Sequence, residues 1–85
     1  MYHLFFEKRV LKDLEKISDA FVIKIDNSIR LLSKNPLPIG SKKLIGERYL
    51  YRIRQGDYRI IYAVDHKSKE VRLLAVRHRR EAYRK

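Results

Sequence analysis

The chain has 85 residues, and its 21 Lys and Arg against 10 Asp and Glu give a formal net charge of +11. That length supports one domain, spanning residues 1–85, with one modest core. The absence of cysteine excludes disulfide staples and thiolate metal sites, and the cationic excess points to a polyanionic partner while repelling itself in the free protein.

Tyr2 to Phe6 is a short aromatic-rich run and predicts a strand. Glu7, Lys8 and Arg9 interrupt it far short of a signal-peptide core or a membrane span, so a cytoplasmic protein with no membrane partner is expected. Val10, Leu14 and Ile17 then recur at helical spacing, with Lys8, Arg9, Lys12, Asp13 and Lys16 between them, which predicts an amphipathic helix from Glu7 to Ile17. Ser18 and Asp19 offer capping oxygens to a second helix whose apolar face is Phe21, Ile25, Ile29 and Leu32. Asn35-Pro36 stops it, because proline disfavours helical backbone in the residue before it. So short a connection predicts an antiparallel helix hairpin whose apolar stripes are core and carry no chemistry.

Asn35 to Lys43, with two prolines and a glycine, reads as a surface loop. Beyond it the period falls to two. Tyr49, Tyr51 and Ile53 alternate with Leu50, Arg52 and Arg54; after Gly56-Asp57, Tyr58, Ile60, Tyr62 and Val64 alternate with Arg59, Ile61 and Ala63. Gly-Asp suits a two-residue hairpin turn, which sets Gln55 against Tyr58, Arg54 against Arg59, Ile53 against Ile60 and Tyr51 against Tyr62. Val71 to Val76 predicts a further strand, and Arg79 to Arg84 a last helical turn. The expected fold class is α+β: an N-terminal strand, a helix hairpin on one face of a small, mainly antiparallel sheet, and a short C-terminal helical turn. The helices are expected to cover the Tyr51/Ile53/Ile60/Tyr62 face.

The same register puts Arg52, Arg54 and Arg59 on the opposite face, with Arg54 directly across from Arg59. Like charges so placed repel, and guanidinium forks match the geometry of phosphate, which resolves the conflict. A wet sheet face carrying splayed charges is the plain alternative, but arginine at all three positions favours a phosphate site. The tail from His78 to Lys85 adds four cations, an imidazole and the Tyr83 ring; Arg79 and Tyr83 are four apart, so a guanidinium and a ring would project together, as in the holding of unpaired RNA. His3, His66 and His78 show no metal-ligand spacing and the carboxylates are scattered, so neither metal nor cofactor is expected. RNA carries its own nucleophile, the 2′-hydroxyl, and a site of Arg, Lys, His and Tyr need only orient it, neutralise charge on phosphorus and move protons.

Tyr51-Arg52-Ile53-Arg54-Gln55-Gly56-Asp57-Tyr58-Arg59-Ile60-Ile61-Tyr62, then Val76-Arg77-His78-Arg79-Arg80-Glu81-Ala82-Tyr83-Arg84, resembles the signature of the RelE/ParE toxins. Leu44-Ile45-Gly46 and the N-terminal strand and paired helices extend the resemblance over nearly the whole chain. It implies a toxin held by a cognate acidic antitoxin in a hetero-oligomer. In the RelE branch it implies a metal-independent endoribonuclease that enters the ribosomal A site and cuts mRNA. The ParE branch implies inhibition of DNA gyrase instead, and a non-catalytic RNA-binding module is a third alternative. Matched to the RelE pattern, Arg59 is the phosphate stabiliser, Arg79 the general acid and Tyr83 the ring that stacks on a base. Arg52 and Arg54 match a basic pair, the latter at the position of the general base. The type member has lysine at both, and arginine does not give up its proton. His78 is an alternative acid, and Glu47, Lys42 and Lys43 are further candidates for proton transfer. Lys42, Lys43, Arg52 and Arg80 are the expected RNA-binding cations.

Overall fold

A computed structural model describes residues 1–44, 46 and 49–82, with 81 and 82 described through their backbone alone. Strand β1 is His3–Phe6, followed by helices α1, Lys8–Glu15, and α2, Asp19–Leu31. Strands β2, Lys42–Lys43, β3, Leu50–Gln55, β4, Tyr58–Asp65, and β5, Glu70–His78, precede a final helical turn, α3, Arg79–Ala82. Among the described residues no helix is long and apolar enough to cross a membrane.

The helical stripes bury as their spacing predicts, with local differences. Val10 of α1 and Ile25, Ile29 and Leu32 of the second helical segment are fully buried, and Leu14 and Ile17 pack against them. Helix α1 stops two residues early because its last turn tightens: the Lys16 and Ile17 amides donate to the Asp13 and Leu14 carbonyls, 3.2 and 3.1 Å away. Ser18 is the N-cap of α2 but makes no side-chain capping bond; its carbonyl instead accepts from the Phe21 and Val22 amides. Phe21, expected in the core, is half-exposed and leans on the Tyr58 ring at 5.9 Å.

The five strands run in the order β1-β5-β4-β3-β2, with β1 parallel to β5 and the other pairs antiparallel. Helix α1 packs on β5, and α2 on β3 and β4. Lys42 and Lys43, expected in the loop, add the short edge strand β2 against Arg52 and Tyr51. The β3–β4 register is the one the Gly-Asp turn dictates: Gln55 faces Tyr58, Arg54 faces Arg59, Ile53 faces Ile60 and Tyr51 faces Tyr62. Gly56 has φ +60°, the first-position conformation of a type II′ turn and one that side chains rarely adopt. Ile53, Ile60, Tyr62, Val64, Val71, Leu73 and Val76 form the sheet's share of the core. The Tyr62 hydroxyl donates to the Pro36 carbonyl at 2.8 Å, tying the loop after α2 to the sheet.

One irregularity repositions the end of β5. Ile61 faces Ala75 but Tyr62 faces Leu73, so Leu74 is an extra residue, a β-bulge. Side chains alternate along a strand, so the extra residue exchanges the faces of everything after it. Val76 enters the core and Arg77 falls on the open face.

Candidate nucleic-acid interface

Three arginines stand abreast on the face opposite the helices. Arg54 of β3 faces Arg59 of β4, and Arg59 faces Arg77 of β5. Adjacent strands lie about 4.8 Å apart, so three cationic side chains share a strip roughly two strand spacings wide. Arg59 is partly buried, its Nε wholly so, which holds the stem in place beneath its guanidinium. Arg77 was not singled out in the sequence. The signal was the apolar run Leu73-Leu74-Ala75-Val76, too long for a strand that alternates, and consistent with a bulge only once the pairing is known.

At the end of the row the hairpin turn and the start of α3 enclose a cleft of about 170 Å³, lined by Arg54, Gly56, Asp57, Tyr58, Arg59 and Arg79. This is smaller than the ~300 Å³ at which pockets begin to enclose whole small molecules, and suits a phosphate group better than a nucleoside. Arg79 is anchored at both ends: its amide donates to the Asp57 carbonyl at 2.7 Å, and its Nη1 lies 3.7 Å from Asp57 Oδ1. The turn therefore does two jobs, setting the register that aligns Arg54 with Arg59 and holding Arg79 over the same cleft. Asp57 also puts a carboxylate there, a group the sequence suggested only as half of a turn.

Arg54 is shared with a second, larger groove of about 460 Å³, lined by Ser28, Leu31, Pro38, Ile39, Gly40, Lys42, Arg52, Ile53 and Arg54. Of the expected RNA-binding cations, Lys42 and Arg52 thus line a groove that shares Arg54 with the cleft. Lys43 pairs with Tyr51 and so has the opposite parity, and it does not line the groove. Arg80 is exposed and its amide donates to His78 Nδ1 at 3.2 Å.

His78 does not line the cleft of Arg54, Arg59 and Arg79. It pairs with Tyr58 on the helix side of the sheet, its ring edge-on to the Tyr58 ring at 5.3 Å, and borders a cleft with Asp13, Lys16, Ile17 and Arg77. The bulge is the cause, since it exchanges the faces of His78 and Arg77. Tyr83, and Glu47 among the candidates for proton transfer, lie outside the described residues. Among the described residues no three His, Asp or Glu side chains gather as a metal site would require.

The family model of the ParE toxin of type II toxin-antitoxin systems, parDE, matches residues 4–83. The chain belongs to this toxin family. Within it the toxin is RelE-like. It is 32% identical over 80 residues to a relative from Methanocaldococcus jannaschii that bears the toxin name RelE1, covering 91% of this chain and 89% of that one. The archaeal RelE–RelB complex from Pyrococcus horikoshii OT3 contains a chain that superposes with a TM-score of 0.82 at 32% identity, over 92% of this chain and 94% of that one. The toxin-antitoxin complex RelBE2 of Mycobacterium tuberculosis gives 0.81 at 28% identity, over 91% and 96%. Two helices on a five-stranded mixed sheet is the architecture this toxin shares with them.

Proposed function

We propose that this toxin is a metal-independent endoribonuclease that cuts mRNA in the ribosomal A site in the cytoplasm, and that a cognate acidic antitoxin holds it inactive in a hetero-oligomer. The observation that carries this is the phosphate-sized cleft where Arg54, Arg59 and Arg79 converge. In the proposed reaction the 2′-oxygen bonds to phosphorus as the bond to the 5′-oxygen breaks. Arg59, preorganised by its buried stem, stabilises the charge that develops on the non-bridging oxygens. Arg54 orients the phosphate but stays protonated, so the group in the cleft able to accept the 2′-hydroxyl proton is the Asp57 carboxylate. Arg79 hydrogen-bonds the departing 5′-oxygen, which takes its proton from a solvent water. His78, on the helix side, takes no part; Lys42 and Arg52 extend the grip along the strand, Lys43 and Arg80 supply outlying charge, and Tyr83 is the proposed stacking ring. The acidic antitoxin is drawn by the +11 charge, and the solved RelE–RelB complexes are of proteins with this fold.

The test is single-turnover cleavage of mRNA on programmed ribosomes, read by toeprinting. Arg59→Ala should lower the rate on the order of a hundred- to a thousandfold, as loss of a transition-state donor does, with ribosome binding weakened far less. Asp57→Asn should lower the rate about 10²–10⁴-fold, as loss of a positioned general base does, and His78→Ala should cleave at the parental rate. The family model that matches is the ParE one, and DNA gyrase inhibition is accordingly the second reading. Gyrase supercoiling inhibited by a protein that leaves toeprints unchanged would establish it in place of the first.

A further inference from the structure

Strand β5 could pair with β4 in either of two registers. Without the bulge, Leu73, Ala75 and Arg77 would share the helix-covered face and Val76 and His78 the open one. With it, Val76 is buried at 4% exposure, and Ala75 and Arg77 take the open face. Exposure of arginine rather than its burial under α1 favours the bulge, and in it Val76 and Ala75 are both buried, at 4% and 7% exposure.

A third contact selects it from outside the sheet. Strand β1 ends at Phe6, opposite Leu73, so beyond that point no strand among the described residues covers the outer edge of β5. Helix α1 lies against that edge instead. In the bulged register the Val76 amide points outward there, and it donates to Asp13 Oδ2 at 2.9 Å in a part-buried bond. Without the bulge the outward amides would be those of Ala75 and Arg77, and the Asp13 carboxylate would face no donor at position 76. The residue at position 13 therefore bears on which face position 77 occupies.

We propose that Arg77 is a phosphate-binding residue of the arginine row, and that Asp13 is the positioning residue that keeps it there by holding the bulge through the Val76 amide. This rests on the nucleic-acid reading of the open face. Arg54 and Arg77 are two strand spacings apart, about 10 Å, which is more than one phosphate spans. Arg77 thus takes the phosphate neighbouring the one gripped by Arg54 and Arg59, on an RNA strand lying across the sheet.

The experiment is equilibrium binding of a short 2′-O-methyl oligoribonucleotide, which cannot be cleaved, measured by fluorescence anisotropy over a range of salt. Each phosphate contact on a single strand contributes about 0.7 to the slope of log affinity against log salt. Arg77→Ala should reduce the slope by about that amount, and so should Asp13→Leu. Asp13→Leu should add no further loss in the Arg77→Ala background, because both changes remove the same contact. Asp13→Asn keeps an oxygen that can accept the Val76 amide and should keep the parental slope, with Val76 still protected from hydrogen exchange. An unchanged slope for Arg77→Ala alongside a reduced one for Arg59→Ala would overturn this inference alone, whereas an unchanged slope for both would remove the nucleic-acid reading itself. A reduced slope in a folded Asp13→Asn variant, or equal losses from Asp13→Leu with and without Arg77, would show that Asp13 does not act through the bulge.

Discussion

Arg59 sits between two like-charged neighbours, Arg54 on one side and Arg77 on the other. Each such cross-strand pair costs about 0.2–1 kcal/mol. Arg59→Ala removes both, so in low-salt chloride it should stabilise the fold by up to about 2 kcal/mol, less the packing of the Arg59 stem. The buried Nε shows that this packing is present, and a net gain of about 1 kcal/mol is the expectation, a rise in Tm of about 4–8 °C for a domain of this size. Phosphate should reverse the order. With a dissociation constant of about 1 mM, 10 mM phosphate stabilises the parent by about 1.4 kcal/mol through mass action, and the variant, lacking the central guanidinium, by much less. Thermal melts by circular dichroism in chloride and in phosphate at matched ionic strength read both effects, and the variant controls for the general exclusion of phosphate from protein surfaces. If Arg59→Ala melts lower than the parent in chloride and phosphate raises both equally, the row is neither strained nor an anion site.

Ile53→Asp should abolish folding, since Ile53 is buried beneath the helices and an unpaired carboxylate there costs several kcal/mol; far-UV circular dichroism would show the loss. Tyr62→Phe should cost about 1–3 kcal/mol in urea unfolding, because it leaves the buried Pro36 carbonyl without its donor. Burial pushes the Tyr62 hydroxyl up to about 12 from its ordinary 10.0. A raised folded-state value means that this stability is complete below pH 10 and is lost as pH climbs to about 12, so the gap between parent and Tyr62→Phe should narrow over that interval. Hydrogen bonds from the Ser68 and Lys67 amides hold the Asp65 carboxyl below its usual range. Its contribution is present above that range and lost on acidification, and Asp65→Ala should show a weaker acid dependence of Tm.

Much of this protein is written locally. The helical periods of Val10, Leu14 and Ile17 and of Ile25, Ile29 and Leu32, the strict alternation from Leu50 to Val64, and a Gly-Asp pair of the length a II′ turn requires determine two helices, a hairpin and its register without reference to anything distant. The register in turn puts Arg54 opposite Arg59, so the centre of the arginine row was legible in the sequence. What the sequence leaves open is where separate segments meet. The parallel pairing of β1 with β5 joins residues near opposite ends of the chain, and the short β2 exists only because β3 offers Lys42 and Lys43 an edge. Arg77 and His78 are adjacent and both suit a phosphate site, and alternation alone says that one of them faces away without saying which. The bulge decides in favour of Arg77. It is stabilised by burial of Val76 under the helices and by a carboxylate on α1, 63 residues away, so the choice belongs to the packed molecule and could not be made by the strand on its own.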